Sequence, residues 1–476
     1  MTTTKRQDIH LGEIMPSPNP KPNAFPLAII GDGYAASVLF IHLAKQGFDL
    51  NQVVAVGKGQ LGHGAAYGTQ HPDFRLNVRD DLMIIDDDKP DDFVKWASQL
   101  DDPAAEDREG AGRFYQRRDF ARYVRELLDQ YHIETVITQI KARALRLSRG
   151  HHGDWVISLD QGDPVIAKAV VLATGNPVPY GDHLIKPDAP MDRIHRTPWD
   201  GKSLAKVAAE DHVLLVGGGL TALDACLALY HAKHKGKITV VTPRGLLPPR
   251  QRIWTKDSIP PFPTPLTAYQ FVRHMRQYLP QESPDTSVWQ SAFEGLRTVI
   301  PEAWSRLSPL CRKRLITRLG WLWSLLRYRA APQAIAAIQD MLKHNQMAII
   351  SDRVISISKG APLRVALSQH APVTCDIAYL ASGPGHDPLI QTLISDGIAQ
   401  SPFGKDGQNP FGIAVGDDLA LISEVGNTAN CLWAIGPPTM ASLGDVVGAS
   451  SVARQAASLA KQLCTTFARK RPDDDK

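Results

Sequence analysis

The sequence predicts a three-layer α/β chain with two parallel-sheet units and a helical insertion. Three observations carry that prediction. Short β-branched runs alternate with helical patterns over most of the chain. Two of these runs lead into a glycine-rich turn and then an apolar helix face, in the same order each time. Between residues 262 and 345 the alternation stops, and a Trp- and Arg-rich stretch shows helical patterning without strand signals.

Composition narrows the possibilities. A chain of 476 residues is long enough for two or three domains with a large core. Hydrophobic residues at 43% and charged residues at 21% fit a soluble globular protein rather than a disordered one. A net charge of +4 gives no basis for a nucleic-acid partner. Residues 1–24, with Pro16, Pro18, Pro20 and Pro22, are predicted to be a disordered lead, and 469–476 a loose charged tail. No apolar segment follows Lys5 and Arg6, and no apolar run reaches the roughly 18 residues of a membrane span, so no membrane partner is expected. The five cysteines form neither a C-x-x-C pair nor a zinc-ligand spacing. A reduced, cytoplasmic setting without metal or redox dithiol is the expectation.

The strands are expected at Leu27–Ile30, Val53–Val56, Ala169–Ala173, Val213–Val216 and Ile238–Val241, whose unbroken apolar character marks buried parallel strands. After the first, Ala36, Leu39, Phe40 and Leu43 share one helical face, and Gly47 ends that helix. After the fourth, Ala222, Ala225, Cys226 and Leu229 repeat the spacing. Residues 262–345 are expected to pack over the second of these units.

The turns carry the chemistry. Gly31-Asp-Gly33-Tyr-Ala-Ala36 follows a strand and opens a helix, the context a dinucleotide fingerprint needs. Gly31 allows the tight turn, Gly33 lets backbone approach a pyrophosphate, and Ala36 lets the helix pack close to the strand. The helix N-terminus then presents partial positive charge to phosphate. Gly217-Gly-Gly219-Leu-Thr-Ala222 repeats the arrangement. Two such units in one chain are far more specific than one, and they predict two Rossmann-like dinucleotide-binding domains. In the second unit the strand runs into Thr242-Pro-Arg244 with no acid. Arg244 can pair with a 2′-phosphate, Thr242 can donate to it, and Arg250 is a reserve cation, so NADPH is expected over NADH. In the first unit the strand ends at Gly57-Lys58, where a ribose-binding acid is expected and missing. Two further strands, at 169–173 and Ile377–Ala381, end in small turns, Thr174-Gly175-Asn-Pro and Ser382-Gly-Pro-Gly385. Taken alone, either turn reads first as a structural chain reversal and only second as a cofactor contact.

Together these residues resemble the bacterial FAD/NAD(P)-binding flavoprotein family, distantly similar to flavin-containing and N-hydroxylating monooxygenases. The resemblance runs through Gly62-His-Gly-Ala-Ala-Tyr67-Gly68, Leu76-Asn77-Val78, Asp91-Asp-Phe93-Val-Lys-Trp96 and Phe114-Tyr-Gln-Arg117-Arg-Asp-Phe120. It continues through Ala173-Thr-Gly175-Asn, Gly217 to Asp224, Arg244-Gly-Leu-Leu-Pro248, the Trp and Arg positions of 289–329, and Leu432-Trp-Ala-Ile-Gly436-Pro437. It implies a split FAD domain over 25–200 and 376–468, with an NADPH domain over 205–375 that includes the helical insertion. It also implies that Gly31, Gly33 and Ala36 hold the FAD pyrophosphate, and that Tyr67, Asn77 and Val78 lie near the flavin. Thr174 and Gly175 then form a crossing turn, and Gly436 approaches the flavin; Lys58, next after Gly57, is a separate candidate for cofactor contact. Gly436-Pro437 stands where wider flavoproteins commonly carry Gly-Asp, leaving open whether Asp445 takes that role. The expected activity is an FAD-dependent, NADPH-oxidising oxidoreductase on a small molecule, first of all a flavin monooxygenase with an amine nitrogen as its target. A flavin reductase with a non-oxygen acceptor and a non-catalytic nucleotide-binding protein are the alternatives.

Overall fold

Runs of Val, Ile, Leu and Ala with no polar face can be buried only between two layers, and both main sheets place them there. The computed structural model describes residues 24–468 except 151, 178, 180, 200, 404–411, 425 and 427; the expected lead and tail lie, but for Ala24, outside the described residues. The strands are β1 (Phe25–Ile30), β2 (Val53–Val56), β3 (Thr138–Ile140), β4 (Ala144–Arg149), β5 (Trp155–Leu159), β6 (Val165–Leu172), β7 (Ile194–His195) and β8 (Val213–Val216). They continue as β9 (Ile238–Thr242), β10 (Met347–Ser351), β11 (Val354–Ser358), β12 (Leu363–Leu367), β13 (Val373–Cys375), β14 (Ile377–Leu380), β15 (Ala420–Ile422) and β16 (Thr428–Ala434).

The first sheet runs β15-β16-β6-β1-β2-β3, with the β4–β5 pair attached to β6. From β16 to β3 all pairings are parallel. β6 serves two neighbours on one edge: its first half pairs antiparallel with β5, its second half parallel with β16. Alternate residues point to opposite layers, as strand geometry requires. Leu27, Ile29, Val53, Ala55 and Val171 meet helices Tyr34–Lys45, Arg117–Gln130 and Ala449–Ala468. Ala28, Ile30, Val54, Val56 and Val170 meet β4, β5 and helix Pro388–Ser395.

The second sheet, β10-β9-β8-β14-β7, is parallel throughout. Val213 and Leu215 face helices Leu220–His231 and Pro332–Lys343; Leu214 and Val216 face the antiparallel sheet β11-β12-β13. Two sequence expectations need correction here. Segment 376–468 opens with β14, which pairs with β8 and β7 and so belongs to the second sheet, as does β7 within 25–200. The insertion does not lie wholly over the second unit. Helix Pro332–Lys343 does, but helices Ala268–Tyr278, Ser287–Arg306 and Pro309–Arg327 form their own core around Phe262, Phe271, Ile300 and Trp304. Trp304 Nε1 donates to the Ala441 carbonyl at 3.2 Å and Arg312 to the Ser442 carbonyl at 3.1 Å, which docks these helices on the chain leading to the last helix.

Buried ion pairs join the two units. Arg117 Nη2 lies 3.1 Å from Asp224 Oδ2, with each side chain only 10% exposed. Arg250 pairs with Asp107 at 2.6 Å and also with Glu109. Burial pushes the Asp224 carboxyl up to about 6 even though Arg117 opposes the shift. A folded-state pKa above the unfolded one means that the ionised form costs stability as pH rises through that range. Arg117→Met leaves this carboxylate without its cation. The variant is expected to lose on the order of 3 kcal/mol at about pH 8 and clearly less at about pH 5, where Asp224 is protonated. Urea melts at the two pH values check this, and equal losses at both contradict it.

Candidate dinucleotide sites

The first bend is built by close backbone crossing. Gly31 has φ +134°, and a Cβ on it would lie 2.2 Å from the Ala173 carbonyl oxygen at the end of β6. Its N–H donates to the Val56 carbonyl at 2.9 Å, so the chain threads between the ends of β2 and β6. Gly33 caps the helix from Tyr34, and Ala36 is fully buried beneath it. A Cβ on Gly33 would stand 3.3 Å from the Cα of Gly64, and one on Gly64 2.7 Å from the Cα of Gly33. Backbone meets backbone there. Ser37 Oγ fixes the approach, donating to the Gly33 carbonyl at 3.0 Å and accepting the Gly62 N–H at 2.7 Å.

Several expected residues converge on this bend. Thr174 Oγ1, one residue past the Ala173 crossing, is buried without a hydrogen-bond partner, and Gly175 beside it faces open space. Tyr67 meets Tyr34 edge-on at 5.4 Å and Phe120 at 4.9 Å, and burial pushes its hydroxyl up to about 12, so it stays a neutral phenol. Tyr34 in turn donates to the Ala449 carbonyl at 3.0 Å, tying the first helix to the start of the last. Gly436 donates its N–H to Gln455 Oε1 at 2.7 Å, and its Cβ position lies 3.5 Å from the Ala35 methyl. Asn77 and Val78 are half-buried, and Val78 packs on the helical-layer core. Lys58 departs from expectation: its ammonium is bound to Asp160 in the turn after β5.

The second bend repeats the first. Gly217 has φ +105°, its Cβ position lies 2.3 Å from the Ala381 carbonyl oxygen, and its N–H donates to the Val241 carbonyl at 2.8 Å. Gly219 caps the next helix with φ −80° and has open space where a side chain would be. Ala222 is fully buried. Thr242, at the end of β9, is buried, and its carbonyl accepts the N–H of Gly245 and of Asp352, each at 3.1 Å. Arg244 is exposed, with its guanidinium 3.6 Å above the ring of Trp321. The insertion thus supplies a platform for the expected phosphate-binding cation, a pairing that no local spacing announces. Arg250 is not in reserve, because Asp107 and Glu109 engage it.

Asp445 is held by the insertion. Its carboxylate lies 2.6 Å from Arg297 and 2.7 Å from Arg327, while Arg329 pairs with Glu294 at 2.9 Å. Burial alone would raise the Asp445 carboxyl, yet Arg327 and Arg297 outweigh it and hold it below the usual range. Among the described residues no cluster of His, Cys, Asp or Glu has the arrangement to hold a metal ion. No helix among them is long and apolar enough to cross a membrane.

Residues 28–177 match the family model described as FAD-NAD(P)-binding. No curated protein matches the chain. Solved structures share the fold at low identity. The ornithine hydroxylase of Pseudomonas aeruginosa in its reduced form has a TM-score of 0.62 at 16% identity, over 94% of this chain and 100% of that one. The ornithine N-hydroxylase of Kutzneria sp. 744, with reduced FAD, NADP+ and L-ornithine, scores 0.59 at 13% identity over the same shares. The FAD-bound cadaverine monooxygenase of the desferrioxamine pathway in Erwinia amylovora scores 0.60 at 12% identity, over 93% and 95%. The fold is the two-domain fold of FAD/NAD(P)-binding flavoproteins.

The two glycines of the second bend differ in what they hold. Gly217→Ala places a methyl against a backbone carbonyl at a left-handed φ and is expected to cost on the order of 3 kcal/mol or more. Gly219→Ala meets neither obstacle and is expected to stay within about 1 kcal/mol of the wild type. Thermal melts of the two variants check the contrast, which fails if Gly219→Ala is the more damaging.

Proposed function

We propose that the chain is an FAD-dependent, NADPH-oxidising flavin monooxygenase that acts on an amine nitrogen of a small molecule. The observation that carries this is the duplicated bend: one chain holds two glycine crossings of the same geometry, each at the start of a helix. FAD is assigned to the first and NADPH to the second. The residues fit the flavin cofactor. Gly33 and Gly64 leave only backbone at the helix N-terminus, and Thr174 Oγ1 has an unused hydrogen-bonding capacity beside it. Arg244 fits a 2′-phosphate, since among the described residues no carboxylate claims it and Trp321 fixes its plane. When bound, FAD supplies hydride acceptance from NADPH and the reaction with O2.

The chain's own contribution is binding, orientation and exclusion of water. Trp304, Arg312 and the Arg297–Asp445–Arg327 group hold the insertion over residues 441–448, at the start of the last helix. Roofing that segment favours chemistry that water would quench. A disulfide-reducing role is disfavoured by the thiols. All five cysteines are free and none forms a C-x-x-C pair, and Cys226 and Cys375 are buried with their thiols pushed up to about 12 by desolvation. The amine target is supported by the ornithine and cadaverine enzymes that share the fold, both named for amine substrates.

Oxygen uptake with NADPH, L-ornithine, cadaverine and other primary amines tests the assignment. A hydroxylated amine formed with one of them is expected. Peroxide alone with every amine, or electron transfer only to quinones or ferric chelates, sinks it in favour of a reductase. Arg244→Ala is expected to raise the KM for NADPH by about 10- to 100-fold and leave that for NADH nearly unchanged. Equal effects on the two nucleotides contradict the role of Arg244. Gly219→Ala is expected to weaken NADP+ binding more than about tenfold while FAD stays bound.

A further inference from the structure

The end of β2 offers a place for a carboxylate and, in Gly57, no side chain to supply one. We propose that Asp32, from the first bend itself, provides the carboxylate that binds the adenosine ribose of FAD. The proposal rests on reading that bend as the FAD site. A Cβ built on Gly57 would lie 2.6 Å from Asp32 Oδ2 and 2.8 Å from both Asp32 Cβ and Cγ; one on Gly59 would lie 3.0 Å from Oδ2. The Asp32 side chain therefore occupies the space that a residue at 57 would fill. Glycine at 57 and aspartate at 32 are two halves of one exchange: the acid arrives from the β1 turn because the β2 end makes room for it.

Its orientation suits a ligand. Gly59 N–H donates to Oδ2, which fixes the carboxylate over the 57–59 loop, while Oδ1 has no hydrogen bond among the described residues. Both carboxylate oxygens stand within 3.4 Å of the Cβ position on Gly59, so the charge is held against the 57–59 loop. Lys58, next to Gly57 in the chain, is bound to Asp160, and Asp32 has no ion-pair partner among the described residues. A surface cleft lined by Lys58, Gly59, Gln60, Glu134, Gln139 and Lys141 opens beside this loop, at the carboxyl ends of β2 and β3. In open parallel sheets that edge is where an adenosine half lies, with a carboxylate on its ribose hydroxyls. Position, free oxygen and cleft agree on one role, ribose binding.

Titration of the full-length apoprotein with FAD, and with the FAD analogue lacking the adenosine 2′-hydroxyl, tests this. Asp32→Ala is expected to weaken FAD binding by about 10- to 100-fold, the loss for a charge-assisted hydrogen bond. The analogue should bind the wild type more weakly than FAD does, and Asp32→Ala should no longer tell the two apart. The double variant Asp32→Ala with Gly57→Glu restores an acid from the usual side and should recover most of the affinity. Asp32→Asn keeps the shape and the Gly59 contact, and should still lose about tenfold. If Asp32→Ala distinguishes the analogue as well as the wild type does, Asp32 is only a brace for the loop and the proposal fails. A wild type that takes up no FAD at all refutes instead the reading on which it rests.

Discussion

A carbonyl oxygen sits directly beneath each glycine bend, and the rest of the architecture follows from that contact. Ala173 and Ala381 each end a central strand, and their oxygens lie 2.2 and 2.3 Å from where a side chain on Gly31 or Gly217 would begin. Only glycine fits, with a φ that other residues rarely adopt. The crossing lets each bend continue β1 or β8 straight into a helix whose N-terminus opens outward from the carboxyl edge of the sheet. The same edge collects Thr174, Gly436 and Tyr67 around the first bend, and Thr242 and Arg244 around the second.

The two bends act together only if their units are held in register. Arg117–Asp224 and Arg250–Asp107 are buried or nearly so, and removing either partner strands a charge of the other. The helical insertion adds a third connection from a different side. It presents Trp321 to Arg244 in the second unit and Arg297 and Arg327 to Asp445 near the last helix. An element that departs from the strand–helix alternation thus touches both the second unit and the segment before the last helix.

The central strands and both bends were legible because buried parallel strands leave unbroken apolar runs and the crossings demand glycine at fixed spacing. β3 and β7 left no such trace: Thr138-Gln-Ile140 is an edge strand with two exposed residues, and Ile194–His195 is only two residues long. The assignment of β14 to the wrong unit has the same root. An apolar strand ending in a glycine turn states that it is central without stating to which sheet. Side-chain partners distant in sequence were hidden as well. Arg250 reads as a free cation until Asp107 and Glu109 are folded against it, and Lys58 until Asp160 is. Asp32 was visible as a residue but not as the counterpart of Gly57, because only the fold brings them together.

The central claim is that one chain binds both dinucleotides close enough for hydride to pass between them. The visible spectrum of the protein reconstituted with FAD, recorded without oxygen before and after one equivalent of NADPH, tests it most directly. A protein-bound flavin absorption band that bleaches on adding NADPH is expected. A protein that stays colourless after FAD is supplied, or a bound flavin whose band NADPH leaves unchanged, contradicts it.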